Sequence, residues 1–131
     1  DLKKPKVIAV LDWELSTLGH PLADLGYNLM LHEENFDVRV GYSLKNLDLD
    51  SLGIPSKDYL VKKYCEMLDR KIINPNFYIA FSMFRNVAIL EGVLARGRAG
   101  NAASSSAEEK GALSKPLAKI AWDLVQNSNL G

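Results

Sequence analysis

The chain has 131 residues, 16 basic side chains against 16 acidic ones, and 47% hydrophobic residues. That length suits one domain able to bury about two-thirds of its unfolded surface. A net charge of zero excludes long-range attraction to nucleic acid or to an anionic membrane, and the short basic cluster Lys3, Lys4 and Lys6 reads as solvated surface. Cys65 is the only cysteine, so no intrachain disulfide can form, which fits an intracellular reducing compartment; with His20 and His32 alone there is no zinc-type ligand set. No apolar run approaches the roughly 18 residues that a membrane span needs.

The start, DLKKP, has no initiator Met and no signal or transit pattern, which suggests a piece of a longer chain. Residues 7–11, VIAVL, form a continuous apolar run suited to a buried strand, and the run ends at Asp12. Gly19-His20-Pro21 then marks a turn into a helix running to about His32, with Pro21 at its first position. Between 33 and 53 the pattern loses its period, so a loop is expected, with one short helical turn around 42–47.

Ser56 is placed to cap a helix over about 57–68. Asn74-Pro75 opens the longest apolar segment, 77–94, whose Phe77, Phe81, Phe84 and Ala88 share helical spacing while Ile79, Met83, Val87, Leu90 and Val93 fill other faces. A helix apolar nearly all round is expected at the buried centre of a bundle. It should fray at 97–100, before a small, polar stretch over 101–106. Ser106 and Glu109 have capping-box spacing at the start of a last helix, where Leu113, Leu117, Ile120, Ala121 and Leu124 make one stripe. Pro116 predicts a kink there, or a break into two helices.

A carboxylate directly after a buried strand has its direction set by the backbone while the group itself can face a cleft. Such a place suits Mg2+, which takes oxygen ligands and is commonly held by one or two carboxylates plus substrate phosphates. The plain alternative is that Asp12 is a cap or turn residue. An ATPase reading would need a G-x-x-x-x-G-K-[ST] loop, and the sequence has none.

Val10-Leu11-Asp12-Trp13-Glu14, then Gly19-His20-Pro21, then Asp24-Leu25 resemble the (I/V)-(I/L)-D-W-E-x-x-x-x-G-D-P-x-x-D-L-A pattern of the aminoglycoside phosphotransferase and choline kinase-like family. With FYIAFSMFR from Phe77 and Ala121-Trp122-Asp123, the string looks most like the kinase-like domain joined to acyl-CoA dehydrogenase family members of the ten and eleven type. The likeness extends over essentially the whole chain. It implies a mainly α fold, the helical C-terminal lobe of a protein kinase-like fold with a short β-strand at 7–11, so that 1–131 is a partial domain lacking the ATP lobe.

The resemblance also implies roles. Asp12 matches the family's Mg2+ ligand, which bridges the metal to ATP phosphates, while Trp13 and Glu14 stand where kinases carry Phe-Gly. Asp24 matches an acid that braces the catalytic loop, and its place in a first helical turn favours its charge. His20 replaces the commoner Asp and should cap its helix less well, by about 1 kcal/mol or less. Trp13, Glu14, Tyr27, Tyr78 and Arg85 are candidates for the substrate cleft, although aromatics at helical spacing more often belong to cores.

The H-G-D-x-x-x-x-N loop that would supply the base is not in the sequence, so no residue of this chain is assigned as catalytic. The expected function is therefore the C-terminal part of an ATP- and Mg2+-dependent small-molecule phosphotransferase, with a hydroxyacyl acceptor suggested by the dehydrogenase link. The chain alone is expected to be inactive. Its expected partners are the N-terminal lobe and a hydroxyl substrate, with self-association through apolar surface near 7–11. A mitochondrial or peroxisomal setting follows from the resemblance. The rival is a non-catalytic helical module for protein contact.

Overall fold

The computed structural model describes residues 3, 4, 6–33, 44, 46–71 and 73–128. Its elements in chain order are a 3-10 helix Trp13–Leu15, α1 Pro21–Leu29, a 3-10 helix Met30–His32, α2 Lys57–Met67, α3 Asn76–Arg98, α4 Ala107–Gly111 and α5 Ser114–Asn127. The architecture is mainly α, as the sequence predicts. Residues 7–11 form no strand, and Val7, Ile8, Val10 and Leu11 are all exposed. A strand exists through ladder hydrogen bonds, and no described residue supplies a partner for this run.

Local chemistry sets most helix starts. Pro21 occupies the first position of α1, and the His20 ring nitrogen Nδ1 accepts from the Leu22 N–H at 3.4 Å. His20 thus does cap its helix, over a distance long enough to fit the weak cap expected of it. Ser56 Oγ accepts from the Tyr59 N–H at 3.2 Å at the start of α2. Before α3, Asn74 Oδ1 accepts from the Asn76 N–H at 3.0 Å, and Pro75 sits in the cap position itself.

The capping box expected at Ser106 does not form. Ser106 Oγ pairs at 2.9 Å with Ser104 Oγ, and the five-residue α4 starts without a side-chain cap. The chain then breaks into α4 and α5 before Pro116, which falls in the first turn of α5, where its missing N–H costs no intrahelical bond. The loop over 46–53 is a turn in which Asp48 Oδ1 accepts from the Ser51 N–H at 3.3 Å; half of the helical turn expected around 42–47, residues 42, 43 and 45, lies outside the described residues.

Helix α3 organises the rest, packing against α1, α4 and α5. The core is drawn from Leu22, Leu25, Leu29 and Met30 on the first side, Val61 and Cys65 from α2, Ile79 and Met83 from α3, and Leu117 and Ala121 from α5. Two contacts depend on glycine: a Cβ at Gly26 would lie 2.4 Å from the Tyr78 carbonyl oxygen, and one at Gly111 would lie 2.5 Å from Leu94 Cβ. Backbones approach closely there because no side chain intervenes.

Polar groups at the helix seams are satisfied. Buried Ser82 donates to the Ala23 and Tyr78 carbonyls at 3.2 and 2.8 Å, and buried Ser114 donates to Glu91 Oε1 at 2.5 Å. Tyr64 Oη donates to the Pro21 carbonyl at 3.0 Å and ties α2 to α1.

Two expectations for α3 need correction. It is long and apolar enough to meet the criteria of a membrane span, with an 18-residue window of mean hydropathy 1.4, because that average tolerates Arg85 and Glu91. Here it is the helix on which three others pack. Nor is it buried all round: Phe77, Phe81, Phe84 and Ile89 are exposed, since the described residues cover only the faces toward α1, α4 and α5.

Candidate functional site

The apolar run 7–11 meets the 3-10 helix Trp13–Leu15 at Asp12, whose backbone is left-handed with φ 57° and ψ 20°. Among the described residues only Asn46 and Asp69 share that conformation without being glycine, and Asn and Asp are the types that tolerate it best. The Asp12 carboxylate makes no capping bond to the turn it opens, and the residue is exposed. The turn is closed from its other end, where Ser16 Oγ donates to the Trp13 carbonyl at 2.6 Å. That bond satisfies a carbonyl and leaves the cap role of Asp12 unfilled.

A carboxylate held this way offers a hard oxygen ligand. No group of three or more His, Cys, Asp or Glu side chains suited to a metal occurs among the described residues. A single carboxylate does not make an all-protein metal cage; a cation held here would have to take its other ligands from phosphate and water.

The other predicted site residues divide. Glu14 and Trp13 lie on the exposed 3-10 turn beside Asp12, and Asp24 and Tyr27 are exposed on α1. Arg85 is exposed on α3. Tyr78 is half-buried and is fixed from two sides: its backbone abuts Gly26, and its ring stacks on His20 with centroids 5.2 Å apart and planes 14° apart. The stack brings the first turn of α3 onto the start of α1, directly after the Asp12 segment. Sequence reasoning missed this pairing and missed Ser82; the signal for each was a polar or aromatic residue within an apolar helix, which does not name its partner.

No family model matches the sequence. The chain is 43% identical over 126 residues to acyl-CoA dehydrogenase family member 10 of Mus musculus, with 94% of this chain covered. It is 39% identical over 123 residues to acyl-CoA dehydrogenase family member 11 of Gallus gallus, covering 91% of this chain. A solved structure from Ralstonia eutropha JMP134, described as an aminoglycoside phosphotransferase, superposes on 94% of the chain with a TM-score of 0.80 and 40% identity. These likenesses support a kinase-like, aminoglycoside phosphotransferase-type assignment for this chain as a fragment of a larger domain.

This phosphotransferase-like chain spans 12% of the mouse relative's length, 16% of the chicken relative's and 37% of the solved chain. Its helices are thus one part of larger polypeptides in those proteins. Asp12, Trp13 and Glu14 form the D-W-E stretch on which the sequence resemblance began, and they lie together on one exposed turn.

Proposed function

We propose that the chain is the C-terminal lobe of an ATP- and Mg2+-dependent phosphotransferase that moves a γ-phosphoryl group to the hydroxyl of a small molecule. The observation that supports this most is Asp12: a left-handed, exposed aspartate that does not cap its own turn, in a chain 40% identical to the solved structure described as an aminoglycoside phosphotransferase. Asp12 would hold Mg2+. When bound, the metal offsets charge on the phosphate oxygens. Strained backbone at one aspartate fixes where the carboxylate starts, and the exposed position leaves its oxygens open to a ligand.

Asp24 serves as a brace. It stands in the first turn of α1, where the helix dipole favours its charge, and from there it would orient the catalytic loop supplied by the rest of the domain. Trp13, Glu14, Tyr27 and Arg85 are exposed and border the substrate cleft, while Tyr78, clamped by His20 and Gly26, positions the α1–α3 junction under it. Similarity to acyl-CoA dehydrogenase family members supports a hydroxyacyl acceptor and a mitochondrial or peroxisomal setting.

A second reading is a helical module for protein contact without catalysis; an H-G-D-x-x-x-x-N loop immediately upstream of this chain in its full polypeptide favours the enzyme, and its loss there favours the module. Asp12→Asn in a full-length polypeptide containing this chain separates the two. The phosphotransferase reading expects kcat/KM for ATP-dependent phosphorylation to fall roughly 100-fold or more. Mg-ATP binding measured by calorimetry should weaken in parallel. Unchanged turnover in that variant would remove Asp12 from the metal site, and a wild-type polypeptide without turnover would favour the helical module.

A further inference from the structure

The first turn of α1 is tied to two other helices. Tyr64 Oη, carried by α2, donates to the Pro21 carbonyl at 3.0 Å. From α3 the Tyr78 ring stacks on His20, and Ser82 Oγ reaches the Ala23 carbonyl at 3.2 Å while also meeting the Tyr78 carbonyl at 2.8 Å. A hydroxyl has one proton to give, so the Ser82 tie is shared and the Tyr64 tie is undivided. A helix carbonyl is already satisfied by the N–H four residues on. A second donor arriving from another helix adds nothing to that ladder and instead sets where the turn lies.

The turn held in this way carries Asp24, which is exposed and pairs with no described residue. Pro21 and Asp24 lie within one helical turn, so a shift of the Pro21 carbonyl is passed to Asp24 through stiff backbone. We infer that Tyr64 is a positioning residue for Asp24: its hydroxyl fixes the turn from which the Asp24 carboxylate reaches the catalytic loop. This role rests on the phosphotransferase reading. The Tyr64 ring packs against the core, and the hydroxyl is separable from that packing, since Phe keeps the ring and removes only the donor.

Kinetics of a full-length polypeptide containing this chain test the role. Tyr64→Phe is expected to lower kcat about three- to tenfold with KM for ATP unchanged, the size of one lost hydrogen bond. Asp24→Asn should lower kcat further, and adding Tyr64→Phe to it should cost nothing more, because the hydroxyl acts through that carboxylate. Ser56→Ala is the control: it removes the cap of α2 without touching α1 and should leave kcat unchanged. Hydrogen exchange over α1 reads the same tie without turnover, and is expected to quicken in Tyr64→Phe and to stay unaltered in Ser56→Ala. An equal factor lost with and without Asp24→Asn would make Tyr64 merely structural and overturn the role. So would full turnover in Asp24→Asn, a matching loss in Ser56→Ala, or unaltered exchange over α1 in Tyr64→Phe. Those outcomes leave the phosphotransferase reading standing, whereas a wild-type polypeptide without turnover overturns that reading and this role with it.

Discussion

Gly26 sits where α1 meets the first turn of α3, and a Cβ built there would lie 2.4 Å from the Tyr78 carbonyl oxygen and 2.5 Å from its carbon. Backbone atoms cannot swing aside as a side chain can. Gly26→Ala is therefore expected to destabilise the chain by about 2–3 kcal/mol, read as a shift of the urea midpoint. Gly19→Ala is the control: nothing lies within 4 Å of its added methyl, so the change should stay within about 0.5 kcal/mol. Equal effects at the two positions would show that the close approach at Gly26 does not limit packing. In the sequence, Gly26 is one residue of a helical pattern, and its role becomes visible only once α3 lies across it. Asp12 is different, because its residue type and its place after an apolar run marked it in the sequence, while its left-handed backbone and absent cap bond emerged from the structure.

Element starts were legible wherever a cap lay next to its own helix. Ser56 before α2 and Asn74 before α3 act within three residues of themselves, so local chemistry decides them. Ser106 fails because a second hydroxyl, Ser104, competes for its side chain. How α2 docks depends on groups far apart in sequence: Lys57 Nζ meets Glu33 Oε1 at 2.8 Å, at the end of the 3-10 turn that carries His32. Burial first and the Lys57 charge second hold the His32 pKa below its ordinary 6.5, with Glu33 opposing. The unfolded chain thus takes up this proton at higher pH than the folded one. Stability from this group is fully present above about pH 6.5 and declines as pH falls from there through the lower folded value. Thermal midpoints should drop across that window in the wild type and drop less in His32→Gln. An identical slope in both would place the pH dependence elsewhere.

At the scale of the molecule, the chain carries the D-W-E turn and a helical layer but no H-G-D-x-x-x-x-N loop. The isolated 131-residue chain is expected to show no ATP-dependent phosphorylation and to bind Mg-ATP weakly or not at all, since one carboxylate cannot replace the remaining phosphate contacts. Calorimetry with Mg-ATP and a phosphate-transfer assay check this, and robust turnover would refute it. The sequence by itself determined the helical class, the order of helices and the phosphotransferase likeness, because periodicity, caps and a spaced motif are local properties of the chain. Tertiary structure alone decided that 7–11 has no strand partner among the described residues, that His20 stacks on Tyr78, and that Phe77, Phe81 and Phe84 face outward. Apolarity states that a face favours burial, but which faces are covered depends on elements brought together from distant parts of the chain.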